Sequence, residues 1–274
     1  MKYQAYLKRI GYVDQPQADL ATLTELHRLH AFAIPFENFD VHLNKGVELN
    51  KQHVMKKLVE LNRGGYCYEL NGAFHDLLCE IGFNVKYLTS RPMFGYEEVR
   101  PKTHMILLVD IDGVDYLVDL GFTGLNIIEP IPLSFNIEHW QAGFGFRIIQ
   151  QHDPAFCEKA EATYIMQTCL MDSSDWLNLF SFDLVEQAYV DYILPNHFNC
   201  TSHLSICTHK LIAAIYKPNG RVRLVDNQVK CELDNQVSTY VIQSAAELKQ
   251  QLLQWFGLAV DDEQSQILFD VAMT

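Results

Sequence analysis

The sequence has few basic residues and no long apolar segment. Lysine and arginine together number 21 against 34 aspartates and glutamates, which gives a formal net charge of −13. Non-specific binding to nucleic acid or to an anionic membrane surface requires a basic face, so both kinds of partner are disfavoured. No run approaches the roughly 18 apolar residues that a membrane span needs. A small anionic ligand is still compatible with the composition, because backbone amides or a few local cations can hold one.

The amino-terminal segment lacks the features of an export signal. Residues 1–9 contain neither an apolar central region nor a small-residue cleavage site. The chain has seven cysteines, an odd number, in a composition that is 49% hydrophobic and 20% charged and therefore globular. We expect a cytoplasmic protein whose cysteines are reduced and mostly fill the core.

The hydrophobic period changes along the chain from helical to strand-like. Apolar residues at helical spacing predict helices over residues 3–10, 20–29, 54–61 and 70–81. Strand patterns follow over residues 85–89, 105–111, 116–120, 146–149 and 163–168, and they suggest a barrel or a sandwich. The last third mixes strands over 211–216, 221–225 and 237–242 with a helix over 246–256. The order predicts a helical part, a β part and a mixed part.

A glycine pair precedes a cysteine at the start of the fourth predicted helix. Gly64-Gly65 forms a turn that delivers Cys67 to the first helical turn, where the positive end of the helix dipole lowers a thiol pKa. The two glycines also allow a substrate to approach the backbone closely. At this point an inert cysteine packed in the core explains the motif equally well.

A predicted hairpin brings a histidine and an aspartate together. Asp112-Gly113 is a strong signal for a tight β-hairpin turn. Counting outward from this turn, Ile106 lies opposite Asp119, and His104 lies two residues back on the same face. His104 and Asp119 are then diagonal neighbours, roughly 7–8 Å apart at the backbone and within side-chain reach. A carboxylate in this position orients one imidazole nitrogen and leaves the other to face a thiol.

With these residues the sequence resembles the arylamine N-acetyltransferase family. The resemblance covers the chain almost end to end and is concentrated in the first 130 or so residues. In that family the corresponding Cys, His and Asp form the catalytic triad, carried here by Cys67, His104 and Asp119. The matching motifs are, in order, Ile34-Pro35-Phe36-Glu37-Asn38, Arg63-Gly64-Gly65-Tyr66-Cys67-Tyr68-Glu69-Leu70-Asn71, Thr103-His104 and Val118-Asp119-Leu120-Gly121-Phe122.

The resemblance implies an α+β fold in three parts. We expect a helical bundle with the nucleophile over residues 1–83 and a β-barrel with the histidine and aspartate over 84–183. An interdomain segment over 184–198 then leads to an α/β lid over 199–274. The arrangement of the cysteine helix and the barrel is similar to the Cys-His-Asp core of papain-like proteases.

The resemblance also implies ping-pong transfer of an acetyl group from acetyl-CoA. An acetyl-cysteine intermediate would pass the group to a small arylamine, hydrazine or N-hydroxyarylamine, with no permanently bound cofactor. Phe36 and Phe122 would line the acceptor pocket, or would simply belong to the core. The remaining expected contributors are Gly121, Thr123 and Gly124 as a CoA-binding loop, and Glu37 and Arg63 as a pair that braces the turn before Cys67.

Other activities on the same scaffold stay open from the sequence. An amide synthase with a larger acyl donor and a thioester hydrolase would use the same triad, whereas the intact triad disfavours a non-catalytic binding module. The carboxy-terminal third departs from the family, which often has Ser-Thr-x-Pro-x-Ser where this chain has residues 200–205. Here Cys200, His203, Cys207 and His209 lack the separated pairs of a zinc finger, so no metal site is expected.

Overall fold

The computed structural model describes residues 2–151, 163–170 and 175–274. Within these ranges a short π-helical turn, Lys56–Glu60, extends the helix Lys51–Met55, and a 3-10 turn, Tyr189–Tyr192, precedes the helix Ile193–Thr201. The α-helices are α1 (Lys2–Ile10), α2 (Leu20–Ala33), α3 (Phe39–His42), α4 (Lys51–Met55), α5 (Cys67–Ile81), α6 (Ile193–Thr201), α7 (Ile206–His209), α8 (Ala245–Phe256) and α9 (Asp262–Ala272). The strands are β1 (Phe36–Glu37), β2 (Asn84–Pro92), β3 (His104–Ile111), β4 (Val114–Val118), β5 (Ile131–Pro132), β6 (His139–Gln141), β7 (Phe144–Gln151), β8 (Thr163–Leu170), β9 (Leu177–Gln187), β10 (Ile212–Lys217), β11 (Gly220–Val225), β12 (Gln228–Leu233) and β13 (Gln236–Val241).

An eight-stranded antiparallel sheet forms the nearly closed barrel of the described residues. Its strand order is β5-β4-β3-β2-β9-β8-β7-β6. The predicted hairpin between β3 and β4 is confirmed, with Ile111 opposite Val114. Asp112 and Gly113 both have positive φ, 54° and 80°, as a tight two-residue hairpin turn requires. The ladder ends where Leu107 pairs with Val118, so β4 ends two residues before the predicted strand over 116–120 does.

The second sheet joins the two ends of the chain. Its order is β1-β10-β11-β12-β13, and Phe36 and Glu37 in β1 pair with Ala214 and Ala213 in β10. Residues 1–83, expected to form a helical bundle, thus also contribute β1, which was not predicted because a two-residue strand carries no readable hydrophobic period. The proposed domain boundaries stay a prediction, and β9 continues to Gln187, beyond residue 183.

Several helices begin and end at residues that are typical helix caps. The Asp19 side chain accepts a hydrogen bond from the amide of Thr22 and caps α2, and Gly82 ends α5 in the left-handed conformation. The predicted helix over 54–61 divides into α4 and the π-helical turn. Leu61, expected on its apolar face, is 60% exposed, because the change of helical pitch turns it away from the core.

Two hydrophobic clusters hold the fold. The larger joins the amino-terminal helices to the barrel through side chains such as Leu70 and Phe74 of α5 and Leu107 of β3. The smaller lies between the second sheet and helices α8 and α9, with Leu224 and Leu252 near its centre. Helix α5 packs directly against β2 and β3, so the start of this helix is fixed relative to the barrel.

A buried ion pair connects the second sheet to the loop after β4. Arg221 Nε donates to Glu232 Oε2 at 2.6 Å, and its Nη1 donates to the Gly124 carbonyl at 3.2 Å. The guanidinium also lies over the Phe144 ring, 3.7 Å from the centroid. Burial raises the pKa of Glu232, but the hydrogen bond and charge of Arg221, with help from Lys230, outweigh it and lower the pKa to about 2.

Replacing Glu232 should change stability in a pH-dependent way. Because its pKa is lower in the folded chain, the pair stabilises the protein fully above the ordinary value of about 4.3 and loses its effect as the pH falls toward 2. Glu232→Gln, which leaves Arg221 buried without a countercharge, should cost roughly 3 kcal/mol of unfolding free energy at pH 7. The unfolding free energies of wild type and Glu232→Gln, measured by denaturant titration, should converge as the pH falls from about 5 to 2. Glu98→Gln, at an exposed position, is the control. A stability difference between wild type and Glu232→Gln that stays constant across this pH range, or an equal loss of stability in Glu98→Gln, would contradict the role assigned to the ion pair.

Candidate active site

The turn before Cys67 can be made only from glycines. A Cβ on Gly64 would lie 2.2 Å from the Pro35 carbonyl oxygen, and one on Gly65 would lie 2.8 Å from Glu69. Strand β1 therefore packs against this turn, with the Glu37 amide donating to the Gly65 carbonyl at 2.9 Å. Helix α5 then begins at Cys67, so close approach, rather than positive φ, explains the glycine pair.

A buried charge cluster fixes the same turn from behind. Arg63 Nη2 donates to Glu37 Oε1 at 2.6 Å and to Asp40 Oδ1 at 3.1 Å. Lys57 Nζ lies 2.8 Å from Glu69 Oε1 and 2.7 Å from Asp40 Oδ2. Glu69 Oε2 in turn accepts the amide of the residue that precedes Cys67, at 3.0 Å. Burial lowers the pKa of Lys57, but the three surrounding carboxylates outweigh it, so that the pKa is raised and the ammonium stays charged.

The Cys67 thiol is buried at the base of a cavity. The helix position was expected to lower its pKa, but burial raises the pKa, and Cys207 and Asp119 add to this effect. Main-chain hydrogen bonds at Met105 and Tyr68 oppose it. A free thiolate is therefore disfavoured here, and the sulfur needs a nearby cation to ionise.

His104 and Asp119 form the contact that the hairpin register predicts. His104 Nε2 lies 3.0 Å from Asp119 Oδ2, and both side chains are buried. Phe122 and Phe180 pack against the imidazole with ring centroids 4.9 and 5.3 Å away. Burial raises the pKa of Asp119, but the interactions with His104, Asn71 and the Gly121 amide outweigh it and hold the pKa below its usual range.

Asn71 links the helix of Cys67 to β3 and to the residues that follow β4, and its role was not predicted from the sequence. Its Nδ2 donates to the Met105 carbonyl at 2.8 Å and to Asp119 Oδ1 at 3.0 Å, and its Oδ1 accepts the Leu120 amide at 2.9 Å. A signal was available, because Asn71 lies four residues after Cys67 and therefore on the same face of the helix. Without the strands' positions, its partners were not readable.

Cys67 and His104 line the same cavity. Phe36 and Phe122, the expected acceptor contacts, line it as well, as do Gly121 and Thr123. The other described lining residues are Tyr66, Pro92, Phe94, Tyr96, Arg100, Pro101, Thr103, Phe198, Asn199, Leu204, Ser205, Ile206 and Cys207. The walls are largely aromatic and apolar, so the cavity fits a planar, apolar group beside the thiol.

Gly121 and Gly124, at the two ends of the expected CoA-binding loop, have different surroundings. Gly121 packs on Cys67, where a Cβ would lie 2.5 Å from the cysteine Cα. Gly124 has φ of +74° and packs against the second sheet, where a Cβ would lie 2.4 Å from Ala214 Cβ. It is not among the described residues that line the cavity. Arg223 Nε donates to the Thr123 carbonyl at 3.1 Å and holds the loop on β11.

The carboxy-terminal segment closes the cavity without forming a metal cluster. Asn199 Nδ2 donates to the Thr103 carbonyl at 3.0 Å, next to His104, and Cys207 lies on the cavity wall. Nowhere in residues 2–151, 163–170 and 175–274 do three His, Cys, Asp or Glu side chains group as potential metal ligands. In the same described part of the chain, no helix has both the length and the apolar character needed to cross a bilayer.

The sequence is similar to those of known N-acetyltransferases. A family model described as N-acetyltransferase matches residues 19–265. The arylamine N-acetyltransferase of Escherichia coli is 31% identical over 260 residues, which cover 94% of this chain and 89% of that protein. The arylamine N-acetyltransferase / N-hydroxyarylamine O-acetyltransferase of Salmonella typhimurium is 30% identical over 261 residues, with the same coverage of both chains.

A solved structure shows the same architecture. The Mycobacterium marinum arylamine N-acetyltransferase in complex with CoA superposes with a TM-score of 0.87 at 26% sequence identity, covering 97% of this chain and 98% of that one. The family model and the relatives extend across nearly the whole chain, and the fold agrees with them. The chain therefore belongs to the arylamine N-acetyltransferase family.

Proposed function

We propose that this protein transfers an acetyl group from acetyl-CoA to arylamines, hydrazines or N-hydroxyarylamines through an acetyl-Cys67 intermediate. One observation carries the proposal: Cys67 and His104 line the same aromatic cavity, and His104 Nε2 lies 3.0 Å from Asp119 Oδ2. Membership of the family, whose members include the CoA-bound M. marinum enzyme, supplies the donor.

The first half-reaction acetylates the enzyme. The proton of the Cys67 thiol moves to His104, and Asp119 stabilises the resulting imidazolium. Because the site is buried, this ion pair is the charged form that it tolerates best. The sulfur attacks the thioester carbonyl, and the bond to the CoA sulfur breaks. CoA leaves with the proton from His104, and the acetyl group stays on Cys67.

The second half-reaction transfers the acetyl group to the acceptor. The amine nitrogen attacks the acetyl-cysteine carbonyl and loses a proton to His104, and the Cys67 sulfur leaves. Both tetrahedral intermediates carry an oxyanion. The amide of Cys67 is suited to hold it, because the first amides of a helix have no acceptor within that helix.

Each substrate would use a different part of the site. Phe36 and Phe122 offer aromatic faces to the acceptor ring, which agrees with the apolar cavity wall. The Gly121–Gly124 loop offers the backbone amides of residues 122–124 to the anionic donor, since the Gly121 amide already donates to Asp119. The charge of −13 requires some such local compensation. We assign Gly121 and Thr123 to direct contact with CoA. Gly124 instead allows the loop to pack against β10. Glu37 and Arg63 hold the turn before Cys67.

The mechanism needs a reduced thiol at Cys67. The described cysteines are free. A reducing compartment keeps such thiols available, and we propose the cytoplasm as the site of action.

Acetyl-CoA alone should release CoA once per chain. Because acylation of Cys67 does not need the amine, mixing enzyme with excess acetyl-CoA should give a rapid burst of one CoA followed by a slow phase. Adding an arylamine should convert the slow phase into turnover. Cys67→Ser should show no burst, since a hydroxyl ionises far less readily than this thiol.

Two results would contradict this scheme. Rapid, continuous CoA release without an amine would identify a thioester hydrolase. Cys207→Ser is the matched control, because Cys207 lines the same cavity. A burst of normal size in Cys67→Ser would show that another residue carries the acyl group.

The charge of Asp119 should control the reactivity of Cys67. Asp119→Asn keeps the side-chain size but removes the countercharge of protonated His104, so the thiolate–imidazolium pair loses stability. We expect alkylation by iodoacetamide, followed by intact mass, to slow at least about tenfold near pH ~6 and to approach wild type at alkaline pH, where thiols ionise unaided. A wild-type pH profile in Asp119→Asn, with only a lower melting temperature, would reduce Asp119 to a structural carboxylate.

Replacing Asn71 with aspartate, which has nearly the same shape but carries a negative charge, should slow the acetylation of Cys67. Asn71→Asp keeps an acceptor for the Leu120 amide but places a second carboxylate against Asp119 Oδ1 and removes both donors. Repulsion should raise the pKa of Asp119 and weaken its hold on His104. We expect single-turnover acetylation of Cys67 to fall about 100-fold or more. Asn126→Asp is the control, because Asn126 is a buried asparagine that bonds to the Ile127 carbonyl, outside the triad; equal losses in both variants would indicate a folding effect.

A further inference from the structure

A second histidine lies buried directly beneath the triad. His27, on the inner face of α2, is fully buried, and its Nε2 lies 3.1 Å from the main-chain carbonyl oxygen of Asp119. A carbonyl oxygen only accepts, so Nε2 carries the proton and donates. Burial lowers the pKa of His27 to about 4, against the opposing effect of the Asp119 hydrogen bond and charge. His27 is therefore a neutral donor at the pH of catalysis.

The carbonyl that His27 contacts lies outside the sheet ladder. The pairing of β3 with β4 ends at Val118, one residue before Asp119. The next peptide unit, from the Asp119 carbonyl to the Leu120 amide, is held at both ends by side chains. His27 binds its oxygen, and Asn71 Oδ1 accepts its N–H at 2.9 Å. With both ends held, the plane of this peptide is fixed, and that plane sets ψ of Asp119.

We propose that His27 is a positioning residue of the active site: its hydrogen bond to the Asp119 carbonyl fixes the peptide plane that aims the Asp119 carboxylate at His104. The role rests on the proposed function of the triad and extends it to helix α2. It explains why a polar ring is fully buried at this position, where an aliphatic side chain would avoid the cost of desolvation. Among the described residues, Nδ1 of His27 has no hydrogen-bond partner, so the contact with Asp119 is the one polar bond that the structure gives this ring.

His30 supplies a matched control from the same helix. It is also fully buried, and its Nδ1 lies 2.6 Å from the Tyr6 hydroxyl. Its ring packs edge-on against Phe74, which also contacts the His27 ring. His30 therefore shares the burial, the helix and the aromatic neighbour of His27, but bonds toward α1 instead of toward the triad.

The experiment compares two amides of different reach. Glutamine places its amide nitrogen close to the position of histidine Nε2, whereas asparagine is one methylene shorter. We expect His27→Gln to keep the rate of single-turnover acetylation of Cys67 by acetyl-CoA within about threefold of wild type. His27→Asn should lose about tenfold or more, should react with iodoacetamide more slowly near pH ~6, and should leave the KM for acetyl-CoA unchanged. His30→Asn should lower the melting temperature without either kinetic effect.

The outcomes separate this role from simple packing and from the proposed function. Equal rates and equal pH profiles in His27→Asn and wild type would overturn the positioning role. Parallel kinetic losses in His30→Asn and His27→Asn would do so as well, because they would show general loosening of α2. If His27→Asn fails to fold, the pH profile of iodoacetamide alkylation in His27→Gln decides. Glutamine retains the donor, so a shift of that profile from wild type would also overturn the positioning role. If the wild-type chain itself showed no acetylation of Cys67, the proposed function would fail instead.

Discussion

The hydrogen bonds around Asp119 are the constraint on which the site depends. One carboxylate oxygen faces His104, and the other accepts from Asn71 at 3.0 Å and from the Gly121 amide at 2.9 Å. These partners come from β3, from α5 and from the loop after β4. A single buried charge thus joins the strand that carries the imidazole to the helix that carries the thiol. Its burial makes the arrangement demanding, because a buried carboxylate is tolerated only when its oxygens are satisfied.

The second sheet and the charge cluster extend this constraint outward. Lys57 and Arg63 form ion pairs with three carboxylates behind the Gly64-Gly65 turn, so that turn has little freedom to move. On the opposite side Arg221 and Arg223 hold the carbonyls of the Gly121–Gly124 loop. Charged contacts within the amino-terminal part therefore hold one side of the cavity, and charged contacts from the second sheet hold the other. Such contacts position backbone more firmly than apolar packing alone.

The sequence predicted those parts of the site that local geometry determines. A glycine pair before a cysteine identified a helix start, and Asp112-Gly113 fixed a register that put His104 beside Asp119. Both inferences need only a few neighbouring residues. Strand β1 was not readable, because its two residues are strand only by pairing with β10, about 175 positions later in the sequence. Asn71 and His27 were missed for the same reason: their partners are known only once the strands are in place.

The electrostatics of Cys67 also depended on tertiary structure. Helix position alone favours a lowered thiol pKa, whereas the closed cavity raises it through burial. In the proposed mechanism, ionisation of the thiol then depends on proton transfer to His104, and the reactivity of Cys67 becomes a property of the whole group of residues. This coupling also explains why the same scaffold is compatible with several acyl acceptors, since the acylation of the sulfur does not involve the acceptor.

The central claim is that His104 and Asp119 act on Cys67 as one unit. A double-mutant cycle of His104→Gln and Asp119→Asn, read as the single-turnover rate of Cys67 acetylation, tests it most directly. The account predicts that the double variant is no slower than the slower single variant, because either substitution alone already disables the unit. If the two rate losses instead multiply in the double variant, the residues act independently and the account is contradicted.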